Sequence, residues 1–172
     1  MNADTTLARA FERAHQQPID EPAVFAAIGA GLTALLKNQP LRYLSFAGTD
    51  PMLAWWLAPV LPLASRTLPY LRAEPTATWF LACDGAACIG FGCIEVNRAN
   101  LAILRHGFVL PDRRGAGIGS ELLRRRLAHG DYLTVNGFQV TTNKETLPLY
   151  LKAGFKEAGR RGRYYTLVRG HG

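Results

Sequence analysis

Between a run of β-forming residues and a helical run, the chain reads Val109-Leu110-Pro111-Asp112-Arg113-Arg114-Gly115-Ala116-Gly117-Ile118-Gly119-Ser120. Successive small residues let a backbone approach a ligand closely, and the free N–H groups at the start of the following helix attract anions, so the stretch suits a pyrophosphate. A loop whose glycines merely cap and connect has the same composition, and a glycine cluster alone does not separate the two readings. Two familiar phosphate loops are excluded. No Gly-Lys-Ser or Gly-Lys-Thr follows, as a P-loop requires, and the preceding strand is the third of a hairpin series rather than the first of a βαβ unit.

The elements that must position this loop follow from apolar spacing and turn residues. The first 38 residues read as two helices separated at Gln17-Pro18, the first carrying Leu7, Ala10, Phe11 and Ala14 at helical spacing. Leu41 to Phe46 reads as a strand, followed by a helix with Asp50 as cap and Pro51 at its first position. Prolines at 59, 62 and 69 leave the conformation up to Pro75 open. From Thr76 onward the pattern predicts a three-strand antiparallel meander: Trp79 to Cys83, an Asp84-Gly85 hairpin turn, Ala87 to Val96, a turn at Asn97 to Asn100, and Leu101 to Leu110. Beyond the glycine loop come a helix from about Ile118 to His129, a strand from Leu133 to Thr141, and a short helix stopped by Gly154. Phe155 to Ala158 and Tyr164 to Arg169 form a last strand pair around the basic turn Gly159 to Arg163. The order makes a mixed α/β, or α+β, domain.

Asn143 follows the penultimate helix-strand unit, and Leu149-Tyr150-Leu151-Lys152-Ala153-Gly154-Phe155 closes the next helix. With Val109, Pro111, Arg114, Gly117 and Gly119, these residues resemble the GCN5-related N-acetyltransferase (GNAT) superfamily. Its signature is Val-x-Pro-x-x-Arg-x-x-Gly-x-Gly, then an Asn and, seven residues on, the Tyr of a Leu-Tyr-x-Lys-x-Gly-Phe segment. The resemblance spans about Thr76 to Arg169, and two motifs in the right order on the expected elements are more specific than either alone.

The resemblance implies the acyl-CoA N-acyltransferase fold, a central, mostly antiparallel sheet with splayed strands flanked by helices. It implies acetyl-CoA as cosubstrate and transfer of acetyl to a primary amine by direct attack in a ternary complex. The backbone of Arg114, Gly115, Ala116, Gly117, Ile118, Gly119 and Ser120 would hold the pyrophosphate. Phe108, Val109 and Leu110 would hold the pantetheine arm, and Asn143 would either touch the cofactor or cap a helix. Tyr150 would be the general acid for the departing thiolate, since a phenol stays protonated at neutral pH and can donate to a developing anion. Many relatives carry a Glu on the strand before the loop as base; here Ile103-Leu104-Arg105-His106 stands instead. His106 is the first candidate base and Glu95 the next, and an amine already neutral would need neither. Arg126 falls inside the apolar stripe of the loop-bearing helix, where the family usually has an apolar residue. Its stem could snorkel, or its charge could pair with a buried carboxylate.

At 172 residues and 48% hydrophobic, the chain is expected to form one domain, with residues 1–38 a helical extension that covers the core or forms a dimer surface and a motif-bearing core at about 76–169. Met1-Asn2-Ala3-Asp4 does not open a secretory signal and no apolar run is long enough to span a bilayer, so a cytoplasmic location is expected. Cys83, Cys88 and Cys93 have neither disulfide-framework nor zinc spacing and read as buried, inert thiols; no metal is expected. The net charge of +7 favours an anionic partner. The polyanionic cofactor satisfies that, leaving a small-molecule or peptide amine as the acceptor and a nucleic-acid-linked amine such as aminoacyl-tRNA as the alternative. A non-catalytic CoA-binding module is the rival from another class; Tyr150 argues against it and the missing strand Glu argues for it.

Overall fold

The computed structural model describes residues 26–29, 40–64 and 76–170. The expected amino-terminal helices lie outside the described residues, apart from a helical stretch at 26–29. Seven strands form one sheet: β1 (Arg42–Ala47), β2 (Thr78–Asp84), β3 (Ala87–Val96), β4 (Leu101–Val109), β5 (Gly137–Asn143), β6 (Lys156–Arg161) and β7 (Tyr164–Gly170). Their spatial order is β1-β2-β3-β4-β5-β7-β6. Every neighbouring pair is antiparallel except β4 and β5, which run parallel. The helices are α1 (Pro51–Leu57), α2 (Ile118–Tyr132) and α3 (Leu147–Lys152).

Both faces of the sheet are covered at β2 and β3, which explains why these strands read as continuous apolar runs rather than alternating ones. On one face Phe80, Ala82, Ile89 and Leu104 pack under Ile118, Leu122 and Leu123 of α2. On the other, Trp79, Leu81 and Phe91 pack with Leu53, Trp56 and Leu57 of α1. The start of α1 follows the expected rule, with Asp50 Oδ1 accepting the Met52 N–H at 2.9 Å and Pro51 in the first turn. All three cysteines are free and buried. A hydrogen bond with Cys83, together with burial, pushes the Cys88 thiol far above its usual range, which suits inert packing.

Several strands begin or end a residue away from expectation, and three differences bear on the turns and on the exit of α2. The first hairpin turns on Gly85-Ala86, not Asp84-Gly85: Asp84 pairs with Ala87, and Gly85 takes φ +59° at the first turn position, where a type II′ turn wants glycine. Helix α2 continues to Tyr132, and Leu133 and Thr134 (φ +53°) form its exit, so β5 begins at Gly137. The carboxy-terminal hairpin turns only at Gly162-Arg163, which places Arg160 and Arg161 on β6.

Gly130 is what lets α2 lie close to β5. A Cβ there would overlap the fully buried Phe138 ring. Gly130→Ala should therefore destabilise the domain by about 1–3 kcal/mol through overpacking, more than the ~1 kcal/mol that alanine gains in a helix. Urea unfolding reads the difference, and an unchanged midpoint would show that Phe138 can swing aside.

Candidate active site

The site begins where two strands part. β4 and β5 pair only from Leu101↔Gly137 to Leu104↔Val140, although β4 continues to Val109 and β5 to Asn143. On its other side β4 carries a bulge. Phe91 opposes Phe108 and Cys93 opposes Arg105, so His106 and Gly107 together face Gly92, with His106 at φ +57°. A bulge bends and twists its strand, which accounts for β4 leaving β5 at this point. Between the diverging strands lies a cavity of about 450 Å³.

The loop after β4 ends at this cavity. Gly115 and Gly117 both take φ +82°, and a Cβ at either would meet nothing within 4 Å. Glycine is needed there for the backbone conformation, and the space above is open to a ligand. Gly117 stands at the N-cap of α2 without a side-chain cap, so the N–H groups of Ile118, Gly119 and Ser120 start the helix without intrahelical partners, at the positive end of a 15-residue dipole. The Ile118 side chain is buried in the core, so only its backbone faces the open side, while Ser120 is exposed. The loop is tethered at its base: Arg114 Nε donates to the Val109 carbonyl at 3.0 Å, and Arg113 pairs with Asp84 at 2.6 Å. Glu121 engages Arg124 and Arg125, and those hydrogen bonds hold its carboxyl at about 2.

His106, Phe108, Val109, Arg114, Gly119, Asn143 and Tyr150 line the cavity. Tyr150 is 5% exposed, with its ring edge-on to Phe155 at 5.5 Å. Its hydroxyl lies 3.5 Å from the point a Cβ on Gly107 would occupy, so the phenol reaches across the gap to β4. Asn143 also acts as a cap: its Oδ1 accepts the N–H groups of Glu145 at 3.1 Å and Thr146 at 3.2 Å, which turns the chain into α3. His106 stacks flat on Trp79, with ring centroids 5.5 Å apart and planes 3° apart. Glu95 lies toward the other end of β3, opposite Ile103, accepts a hydrogen bond from Thr76 and does not line the cavity. Leu110 likewise is not a lining residue, and its N–H is bonded to the Ile89 carbonyl at 2.9 Å.

Gly107, Thr142 and Tyr164 also line the cavity and have no local signal that marks them. Arg126 does, as a charge inside an apolar stripe, but neither expected fate holds. It is 2% exposed, too buried for a snorkelling stem, and it has no carboxylate partner among the described residues.

Residues 75–157 match the family model of the GNAT acetyltransferase domain. Similar folds occur in a Pseudomonas aeruginosa acyl-CoA N-acyltransferase (TM-score 0.62, 14% identity, 76% of this chain and 100% of that one) and in a GNAT acetyltransferase from Elizabethkingia anophelis solved with acetyl-CoA bound (0.62, 15%, 77% and 99%). The PaiA N-acetyltransferase of Thermoplasma acidophilum, solved with coenzyme A, is similar as well (0.55, 14%, 77% and 99%). No curated protein matches the sequence significantly. The loop motif and the bulged, splayed strands agree with the family match: residues 75–157 are similar to the GNAT acetyltransferase domain, and the chain has the acyl-CoA N-acyltransferase fold.

Proposed function

We propose that the protein transfers acetyl from acetyl-CoA to a primary amine by direct attack in a ternary complex. The observation that carries this reading is the convergence on one cavity of the strand splay, the two ends of the open glycine loop at Arg114 and Gly119, and the buried Tyr150. The backbone from Arg114 to Ser120 binds the diphosphate, with the N–H groups of Ile118, Gly119 and Ser120 as its donors, the separated edge of β4 at Phe108 and Val109 holds the pantetheine arm, and Asn143 contributes from the end of β5. The amine nitrogen forms its bond to the thioester carbon as the carbon–sulfur bond breaks. Tyr150 gives its proton to the sulfur, which keeps the bond's electron pair. His106, on the bulge of β4, takes the proton that the amine sheds. Acetyl-CoA-dependent thiol release, followed across polyamines, amino acids, peptides and aminoacyl-tRNA, tests the reading. Tight acetyl-CoA binding with no turnover on any amine would favour a binding module.

The acceptor we favour is a small-molecule or peptide amine. The arginines of the last hairpin are partly engaged: Arg160 lies over the Tyr165 ring at 4.7 Å, and Arg163 donates to the Tyr164 hydroxyl at 2.9 Å. The expected result is no measurable binding of tRNA or duplex DNA at physiological salt. Salt-sensitive micromolar binding, lost when Arg160, Arg161 and Arg163 are changed to Ala, would move a nucleic-acid-linked amine to first place.

A further inference from the structure

The guanidinium of Arg126 is buried at the inner wall of the cavity, in space that two glycines leave clear. A Cβ on Gly92 would lie 2.8 Å from its Cζ, and one on Gly107 would lie 3.7 Å from its Nη2. Its Nε donates to the Leu122 carbonyl at 3.3 Å, a bond within its own helix. Its Nη1 is fully buried with no hydrogen-bond partner among the described residues. Glu145, the carboxylate among the cavity's lining residues, is exposed and makes no ion pair with it. A permanent charge without a counter-ion in such a place is costly, and a planar fork of donors fits the flat, two-oxygen end of a carboxylate in a bidentate pair.

Its position relative to the chemistry narrows the ligand. The Tyr150 hydroxyl and the Arg126 Nη2 both come within 4 Å of one point beside Gly107. If Tyr150 meets the sulfur, the guanidinium lies beside the thioester, where the far end of a longer acyl group can meet it. We propose that Arg126 forms a carboxylate subsite for the acyl group, so that this enzyme accepts acyl-CoA donors whose acyl chain ends in a carboxylate, such as malonyl-CoA and succinyl-CoA. The inference rests on the acyl-CoA reading above and extends it from acetyl to a class of donor. The transfer is otherwise unchanged: nitrogen bonds to the thioester carbon, sulfur leaves with the electron pair and takes a proton, and the terminal carboxylate stays ionised on Arg126. A neutral acetyl group leaves the guanidinium uncompensated, whereas a carboxylate supplies both its charge and its missing acceptor.

Binding measured by calorimetry tests this without knowledge of the acceptor. Malonyl-CoA and succinyl-CoA are compared with isovaleryl-CoA and 4-methylpentanoyl-CoA, neutral donors of the same branching, and acetyl-CoA serves as the common reference. The wild type should prefer the carboxylated donors by roughly tenfold to a hundredfold, the range of a hydrogen bond to a charged group. Arg126→Met should erase that preference, and Arg126→Lys, which keeps charge but not the fork, should retain part of it. Acetyl-CoA binding without any carboxylate preference overturns the subsite and leaves the acetyltransferase reading intact. A variant that weakens all donors equally also overturns it, since the guanidinium would then act on the thiol end or on packing. Failure of acetyl-CoA itself to bind would instead sink the underlying reading. Arg126→Met removes an unpaired buried charge, so it should fold.

Discussion

Gly117→Glu is expected to abolish acetyl-CoA binding in a protein that still folds. At φ +82° a side chain costs about 1–2 kcal/mol of backbone strain, but its Cβ points into open space and meets no atom of the fold within 4 Å. A domain with 5–15 kcal/mol of stability, as is typical, tolerates that. The ligand does not, because the new carboxylate occupies the approach to the first N–H groups of α2 and sets a negative charge where the diphosphate must lie. Titration calorimetry should show a loss of affinity of about a hundredfold or more, while circular dichroism shows a cooperative melt a few degrees lower. Unchanged affinity in the folded variant would remove the loop from the site.

Tyr150→Phe is expected to lower kcat by about a hundredfold or more with little change in acetyl-CoA affinity. The ring is 5% exposed and packed edge-on against Phe155, and phenylalanine preserves both contacts. What is lost is the hydroxyl proposed as proton donor, which would matter when charge develops on sulfur and hardly before. Rapid quench with a saturating amine reads the chemical step directly. Equal rates for the two proteins would mean that water or another group protonates the leaving thiolate.

From Thr76 onward the order of elements, and the open glycine loop between β4 and α2, were legible in the amino-acid sequence. Alternation, turn residues and helix signals act over a few neighbours, so they can be read without knowing what lies across the sheet. Where a boundary depended on competition between neighbours, the reading slipped. Val135 looks like part of a strand, yet it packs beneath the exit of α2, and Arg160 and Arg161 look like a turn yet pair with Tyr165 and Tyr164. Asn143 left two roles open; its Oδ1 caps the chain entering α3 even as the residue lines the cavity.

The tertiary structure alone decided the rest. The bulge at His106-Gly107 is visible only in the register of β4 against β3, a pairing across the sheet that no local pattern records. The cavity is a consequence of it. The environment of Arg126 is likewise invisible in the chain, where an arginine within an apolar stripe is equally a snorkelling stem or half of a buried ion pair. Whether a charge is compensated depends on groups distant in sequence: here Gly92 and Gly107 withdraw their side chains, and the described residues bring no carboxylate. Periodicity says which face of a helix is buried, but only packing says what that face meets.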